Sequence, residues 1–81
     1  MSKLSAYVLT FNEEGKIQDA LESIKWADEI VVLDSHSTDR TEEICQGYTD
    51  KVYQCDFTGF GKLRNRALEL VTHDWVLSID A

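Results

Sequence analysis

Apolar residues form four short runs along the chain, and the segments between the runs repeat apolar and polar positions at helical spacing. Short runs rich in β-branched residues predict strands, and runs that are continuously apolar predict strands covered on both faces. The predicted strands cover residues 4–10, 29–33, 51–54 and 75–79.

The first helix is predicted between the first two strands. Asn12 is the predicted N-cap, because its side-chain oxygen can accept a hydrogen bond from a first turn, and Glu13 and Glu14 suit the positive end of the helix dipole. Asn12 is equally compatible with a ligand contact. The apolar face has the spacing i, i+3, i+4 and i+7 and consists of Ile17, Ala20, Leu21 and Ile24.

A second helix is predicted after residues 37–39, and a third over residues 61–71. Asp39 and Glu42 have the spacing of a capping box, in which each side chain satisfies a free N–H group at the helix start. The predicted core faces are Ile44, Cys45 and Tyr48 in the second helix, and Leu63, Ala67, Leu70 and Val71 in the third.

The elements alternate as β-α-β-α-β-α-β, which indicates parallel strands joined by right-handed crossovers. We therefore predict a single α/β domain over residues 1–81, with three layers and a mostly parallel sheet in strand order 3-2-1-4. Ligands of such sheets bind beyond the carboxyl ends of the strands, here between strands 1 and 4, where the strand order reverses. The loops at that edge are the ones in which function is expected.

Composition narrows the class of protein. The net charge of −7 over 81 residues argues against nucleic-acid binding, which needs basic patches. Cys45 and Cys55 lack the spacing of metal ligands, and we interpret them as reduced thiols of a cytoplasmic protein. The apolar runs are too short to span a membrane, and residues 1–4 lead directly into a strand, so neither a transmembrane segment nor a signal peptide is predicted.

Polar residues stand where each predicted strand ends, whereas the strands themselves are apolar. Such a polar rim on a parallel sheet is what a binding crevice needs. Asp34 has no evident duty as a cap or in an ion pair, which favours a functional role, whereas Arg64 is also compatible with a solvated helix face. The candidate site residues are Thr10, Asn12, Glu14, Asp34, Arg64, Asn65 and Asp80.

Three familiar motifs are excluded. The segment 59–64 lacks the third glycine of a dinucleotide fingerprint and follows the wrong strand. As a P-loop it has Asp56 in place of the first glycine and Leu63 in place of the Ser or Thr that holds magnesium. Asp34, His36 and Ser37 lie too close together on one loop to form a catalytic triad.

Four motifs together resemble a known family. They are TFNEE after the first strand, WADEIVVLDSHSTDRTEEI around the second, FGKLRNRALE in the third helix and DWVLSIDA at the end. In this order and spacing they are similar to the family 2 glycosyltransferases, and within that family to the bacterial enzymes that add a sugar to the lipopolysaccharide core. The resemblance covers essentially all 81 residues.

The resemblance implies the N-terminal half of a GT-A fold, which binds a nucleotide-sugar, usually a UDP-sugar. It implies an inverting transferase with a cell-envelope glycan or lipid-linked acceptor, and Mg²⁺ or Mn²⁺ in the full-length enzyme. The implied roles are the nucleoside pocket for Thr10, Asn12 and Glu14, the base for Asp34, the base and diphosphate for Arg64 and Asn65, and the ribose and metal for Asp80.

The chain departs from the family pattern at its end. Asp80 matches the first aspartate of the D-x-D motif, but the second aspartate is missing after Ala81. Weak metal binding is therefore expected, because one carboxylate does not hold Mg²⁺ or Mn²⁺ usefully. The catalytic base of the family lies in its C-terminal half, so no catalytic residue is assigned and the isolated chain is expected to be inactive.

Two alternatives and one assembly hypothesis stay open. A receiver-like signalling domain would use Glu13, Glu14 and a phosphorylatable Asp56, although the fifth strand and following lysine of such domains are lacking. A stand-alone nucleotide-binding or assembly module is the second alternative. The assembly hypothesis is independent of these alternatives. Residues 75–79 are predicted to form an apolar strand with a free edge, which predicts a homodimer through that strand.

Overall fold

The computed structural model describes residues 3–80, and the side chain of Asp80 lies outside that description. The predicted alternation of strands and helices is confirmed, and the elements lie within a few residues of their predicted positions. The elements are β1 (Leu4–Thr10), α1 (Ile17–Ile24), β2 (Glu29–Asp34), α2 (Thr41–Gln46), β3 (Val52–Gln54), α3 (Phe60–Leu70) and β4 (Trp75–Asp80).

The four strands form one parallel sheet in the order β3-β2-β1-β4, as predicted. In the register of the strands, Thr10 lies opposite Asp34, and Leu9 lies opposite the backbone of Asp80. The carboxyl ends of β1, β2 and β4 therefore share one edge of the sheet, where the candidate site residues were expected.

Both faces of the sheet are covered, because successive side chains of a strand point to opposite faces. One face packs against α1 and α2, and the other against α3. The first cluster contains Ala6, Val8, Ile17, Leu21, Ile24, Ile30, Val32 and Cys45, and the second contains Tyr7, Leu9, Val31, Leu33, Leu63 and Ala67.

The start of α1 differs from the prediction. The helix begins at Ile17, after a turn in which the carbonyl of Glu13 accepts hydrogen bonds from the N–H groups of Lys16 and Ile17. Asn12 has a left-handed backbone with φ of 48°, and its Oδ1 accepts from the N–H of Thr38 at 2.7 Å. The prediction that Asn12 caps α1 is therefore wrong, because its side chain bonds to the neighbouring loop.

The predicted capping box of α2 is also wrong. The helix begins at Thr41, and the carboxylate of Glu42 accepts from Nε2 of Gln54 at 2.5 Å instead of reaching back to the helix start. Asp39 nonetheless stabilises that start, since its Oδ1 accepts from the N–H of Thr41 at 3.0 Å. The side chain of Glu42 is therefore bonded to the end of β3, whereas Asp39 keeps a local contact with the helix start.

Glu29 lies at the amino edge of the sheet, opposite the candidate site. Its buried carboxylate accepts from the hydroxyl of Ser5 at 2.6 Å and the N–H of Thr72 at 2.8 Å, and it pairs with Nζ of Lys51. These contacts join β1, β2 and the loops before β3 and β4. Among residues 3–80, none of the helices has both the length and the apolar character needed to span a bilayer.

Candidate functional site

The hydroxyl of Ser37 joins the loops that follow β1 and β2. It accepts a hydrogen bond from the N–H of Asn12 at 2.8 Å and donates one to Oδ1 of Asp34 at 2.5 Å. A second hydrogen bond joins the same two loops, because Oδ1 of Asn12 accepts from the N–H of Thr38. A hydroxyl can both donate and accept, so Ser37 connects a buried carboxylate to the backbone of the neighbouring loop.

Thr41, four residues further along the chain, repeats the same arrangement. Its hydroxyl accepts from the N–H of Glu13 at 2.9 Å and donates to Oδ1 of Asp39 at 2.5 Å. Oδ2 of Asp39 accepts from the N–H of Glu14 at 3.2 Å, and these bonds lower the pKa of the Asp39 carboxyl, that from the Thr41 hydroxyl contributing most. The two loops therefore form one hydrogen-bonded rim rather than two independent segments.

Asp34 is fully buried and has structural partners on both carboxylate oxygens. Oδ1 accepts from the hydroxyl of Ser37, and Oδ2 accepts from the N–H of Ser37 at 3.1 Å and from Nε2 of Gln54 at 2.8 Å. The expectation that Asp34 lacks a structural duty is therefore wrong. Burial, together with the charge of Asp34, raises the pKa of the Cys45 thiol to about 12, so this free thiol is inert.

A cavity of about 470 Å³ opens at the carboxyl edge, on the sheet face that α3 covers. This volume is within the range of small-molecule sites, and its walls combine aromatic rings with a few polar groups, as such sites do. Among the described residues its lining comes from β1, from the loops after β1, β2 and β3, and from α3, and none of it comes from β4. Its lining consists of Leu9, Thr10, Phe11, Glu13, Ser35, Phe57, Phe60 and Leu63.

Three phenylalanines form the aromatic walls of this cavity. Phe11, Phe57 and Phe60 are 54%, 59% and 62% exposed, although rings of this size are usually buried. Phe57 and Phe60 meet edge to face, with ring centroids 5.2 Å apart and planes at 81°. Exposed aromatic rings that converge on a hollow indicate a surface on which a flat ligand can stack.

The structure separates the candidate residues of the first loop. Thr10 lines the cavity, but alternation along β1 places its side chain with that of Val8, on the opposite face of the sheet. Its hydroxyl is buried without a hydrogen-bond partner among the described residues. Asn12 and Glu14 are exposed and not part of the lining, whereas Glu13 is part of it.

In the second loop, too, the residue that lines the cavity is the neighbour of the predicted one. Ser35 lines the cavity, whereas Asp34 is directed into the rim and is absent from the lining of the described cavity. On α3, Arg64 and Asn65 are exposed, and Arg64 follows the cavity wall Phe60 by four residues. Since residues four apart share one face of a helix, we expect Arg64 to lie near the wall that Phe60 forms.

The expected metal ligand Asp80 has its backbone beside Leu9, and its side chain lies outside the described residues. Among the side chains that are described, no three His, Cys, Asp or Glu residues come together to hold a metal ion. The described residues therefore do not supply a metal site, and the expectation for Asp80 stays a prediction.

Sequence reasoning missed the residues that face the cavity. These residues are Phe11, Phe57 and Phe60, with Glu13 and Ser35 as the polar members. A signal was present, because the segments TFNEE and DFTGF place large aromatic residues among polar ones in predicted loops, where no core can bury them.

Comparison with known proteins identifies the family and the fold of this chain. Residues 5–81 match the family described as glycosyl transferase family 2. The chain belongs to this family. Its sheet and helices are those of the N-terminal half of the GT-A fold, as predicted, and the receiver-like alternative is excluded.

Two relatives are glycosyltransferases by name. A protein of Rickettsia bellii named an uncharacterized glycosyltransferase is 39% identical over 80 residues, which are 98% of this chain and 27% of the relative. The lipopolysaccharide core biosynthesis glycosyltransferase LpsC of Rhizobium meliloti is 35% identical over 83 residues, which are 96% of this chain and 31% of that protein. The chain thus spans about a third or less of these curated relatives.

A solved structure with a similar fold is that of glucosyl-3-phosphoglycerate synthase from Mycobacterium tuberculosis, in complex with Mg²⁺ and UDP. It is 29% identical, with a TM-score of 0.83, and the match covers 98% of this chain and 33% of the synthase. A second structure of the same synthase contains Mn²⁺, UDP and glucosyl-3-phosphoglycerate.

Proposed function

We propose that this chain is the nucleotide-sugar-binding part of an inverting glycosyltransferase with a UDP-sugar donor. The acceptor in this proposal is a lipopolysaccharide core or another cell-envelope glycan. The single observation that carries the proposal is the aromatic cavity at the carboxyl edge of a parallel sheet, where ligands of such sheets bind. The UDP in the similar synthase supports the donor, and the name of LpsC supports the acceptor.

The cavity suits the base of the donor. A pyrimidine ring can stack on the exposed faces of Phe11, Phe57 or Phe60, and stacking of one base on aromatic side chains contributes about 1–3 kcal/mol. The hydroxyl of Ser35 both donates and accepts, so it can pair with the edge of the base. In this proposal Ser35 takes the role that the resemblance gave to Asp34, whose oxygens are engaged in the rim.

The diphosphate lies outside the aromatic walls in this proposal. Arg64 is exposed, follows the cavity wall Phe60 by four residues on α3 and has no ion pair with another described residue, so its guanidinium is available for a phosphate. Neutralising the diphosphate assists the departure of the leaving group. The deprotonation of the acceptor is assigned to no residue of this chain, and Mg²⁺ or Mn²⁺ is proposed only for the full-length enzyme.

The donor is tested by titrating the chain with UDP, CDP and GDP and following backbone amide shifts by NMR. We expect UDP to shift the amides of Phe11, Ser35 and Phe57 most, because these residues line the cavity. GDP is expected to bind more weakly, since a purine is larger than the base for which the cavity is proposed. Shifts centred on the amino edge around Glu29 would contradict the proposal.

A matched pair of variants on α3 isolates the aromatic wall. Phe60→Ala removes a cavity wall, whereas Leu68→Ala removes an exposed apolar side chain of the same helix that is not part of the cavity lining. We expect Phe60→Ala to weaken UDP binding about tenfold, within the range for loss of one stacking partner. Equal affinities of the two variants would show that the ring does not contact the nucleotide.

A further inference from the structure

His36 is held in a backbone conformation that residues other than glycine rarely adopt. Its φ is 57°, in the left-handed region, where a side chain meets steric resistance. Two contacts hold it there. Its N–H donates to Oε1 of Gln54 at 3.0 Å, and its ring Nε2 lies 2.9 Å from Oδ1 of Asp56. Unfavourable conformations of this kind persist where the surrounding contacts impose them, and they concentrate at functional sites.

The partner of His36 belongs to the loop that carries the aromatic wall. Asp56 directly precedes Phe57, and Gly59 then leads into α3 at Phe60. Among the hydrogen bonds of the described residues, the contact between His36 and Asp56 is the one that fastens residues 56–58 to the rest of the molecule. These three residues are all exposed, so packing does little to fix them.

We propose that His36 is a positioning residue for nucleotide binding. Through Asp56 it fixes the loop between β3 and α3, so that Phe57 and Phe60 stand at the cavity in the arrangement that a base requires. The left-handed backbone of His36 is what directs its ring across to Asp56. This inference rests on the proposed function for the ligand, but the ordering of the loop can be measured without any ligand.

The variant His36→Gly distinguishes a positioning role of His36 from a purely structural role. His36→Gly relieves the backbone conformation and removes the ring, so we expect the free energy of unfolding to stay the same or to rise. The side chains of His36 and Asp56 are 59% and 87% exposed. For an exposed pair we therefore expect a modest effect on UDP affinity, a loss of about threefold to fivefold. A purely structural residue would lower stability and affinity together.

Companion variants test whether the contact with Asp56 carries the effect. In His36→Gln the side-chain amide can still donate to Asp56, because it reaches nearly as far as the ring, so UDP affinity should be retained. In His36→Asn the residue tolerates the left-handed backbone, but its side chain is too short to reach Asp56. This variant should therefore lose UDP affinity as His36→Gly does. Asp56→Ala should match His36→Gly, and the double variant should be no worse than either single one, because both remove the same contact. His73→Gln, at the amino edge, is the control.

Two measurements on the whole 81-residue chain decide the outcome. Without ligand, amide hydrogen exchange of residues 56–60 should be faster in His36→Gly and Asp56→Ala than in the wild type and in His73→Gln. With UDP, the same two variants should bind more weakly. Unchanged exchange, or additive effects in the double variant, would overturn the inference. Faster exchange in a chain that binds no UDP in any form would instead refute the proposed function and retain the role of His36 in ordering the loop.

Discussion

At the scale of single residues, Glu29 is the most strongly engaged charge among the described side chains. Its carboxylate is buried, and burial alone would raise its pKa. The hydrogen bonds from Lys51, Ser5 and Thr72 favour the charged form more strongly, and the net result is a pKa lowered from 4.5 to about 2. Protonation of Glu29 therefore weakens a junction that joins β1, β2 and the loop before β4.

We expect this carboxyl to make the stability of the chain depend on acid pH. Its pKa is lower in the folded state than in the unfolded state, so its contribution is complete above about pH 4.5 and is lost as the pH falls towards 2. Lys51 is partly exposed and its attraction is screened, so the loss is about 2 kcal/mol rather than the full value of the shift. Urea unfolding at pH 6, 4 and 3 measures it.

Glu29→Gln should lower stability at pH 6 by about 2 kcal/mol, because it leaves Lys51 unpaired and places an amide donor against other donors. The variant should also flatten the dependence on pH between 4.5 and 2. Glu69→Gln is the control, since it removes only an exposed pair with Arg66. If both variants lose stability in parallel with the wild type as the pH falls, Glu29 is not the group responsible.

Single residues were also where the sequence was least informative about the site. Whether Asp34 or Ser35 faces the cavity depends on which of two adjacent side chains finds partners inside the rim. Those partners are Ser37, three residues further along the same loop, and Gln54, at the end of β3. A carboxylate after a strand suggests ligand binding from composition alone, but burial and hydrogen bonding decide which way it points.

At the scale of elements, apolar runs predicted all four strands, most clearly the central strands β1 and β2, which are buried along almost their whole length. Helix starts were predicted less well. Asn12 has the residue type of an N-cap, yet its side chain bonds across the gap between two loops. The side chain of Asp39 bonds both to the start of α2 and across the same gap. The same oxygens can satisfy N–H groups on their own segment or on a neighbour, and local sequence does not distinguish the two.

Gly59 determines how α3 begins. Its φ of 112° with ψ of 148° lies in a region that is open essentially to glycine alone. Gly59→Ala should therefore cost about 1–3 kcal/mol, although an added Cβ would meet no atom within 4 Å. Because Gly59 lies between Phe57 and Phe60, we also expect weaker UDP binding. Thermal unfolding and the UDP titration measure the two effects.

Gly61→Ala is the matched control two residues further on. Gly61 is inside α3, and an added Cβ there also meets nothing within 4 Å. Alanine in a helix is favoured over glycine by about 0.5–1 kcal/mol, so this variant should be more stable than the wild type. The two substitutions are chemically identical, yet they should change the free energy of unfolding in opposite directions. If both variants change stability in the same direction, the backbone conformation of Gly59 is not the reason why glycine is needed there.

At the scale of the whole molecule, the sheet ends at β4. The order β3-β2-β1-β4 leaves the outer side of β4 without a strand partner among residues 3–80. Trp75 at its start is 63% exposed, and Leu77 and Ile79 are only partly buried against the first cluster. An unpaired edge with apolar side chains is a template on which another strand can add.

We therefore predict that the 81-residue chain self-associates by antiparallel pairing of β4 with β4 of a second copy. Such pairing is symmetric and would extend the sheet across both copies. Sedimentation velocity over a hundredfold concentration range should show a shift from monomer to dimer. Ser78→Lys places a charge on the exposed side of the edge strand and should keep the chain monomeric, because edge lysines oppose strand addition.

Gln18→Lys changes the net charge equally but lies on α1, away from β4, and should dimerise like the wild type. This control matters because the chain carries a charge of −7, and any added lysine reduces the general repulsion between copies. Both substitutions favour association through charge, so only blocking of the edge can make Ser78→Lys monomeric. A wild-type chain that remains monomeric at the highest concentration would show that an open β4 edge is insufficient for pairing.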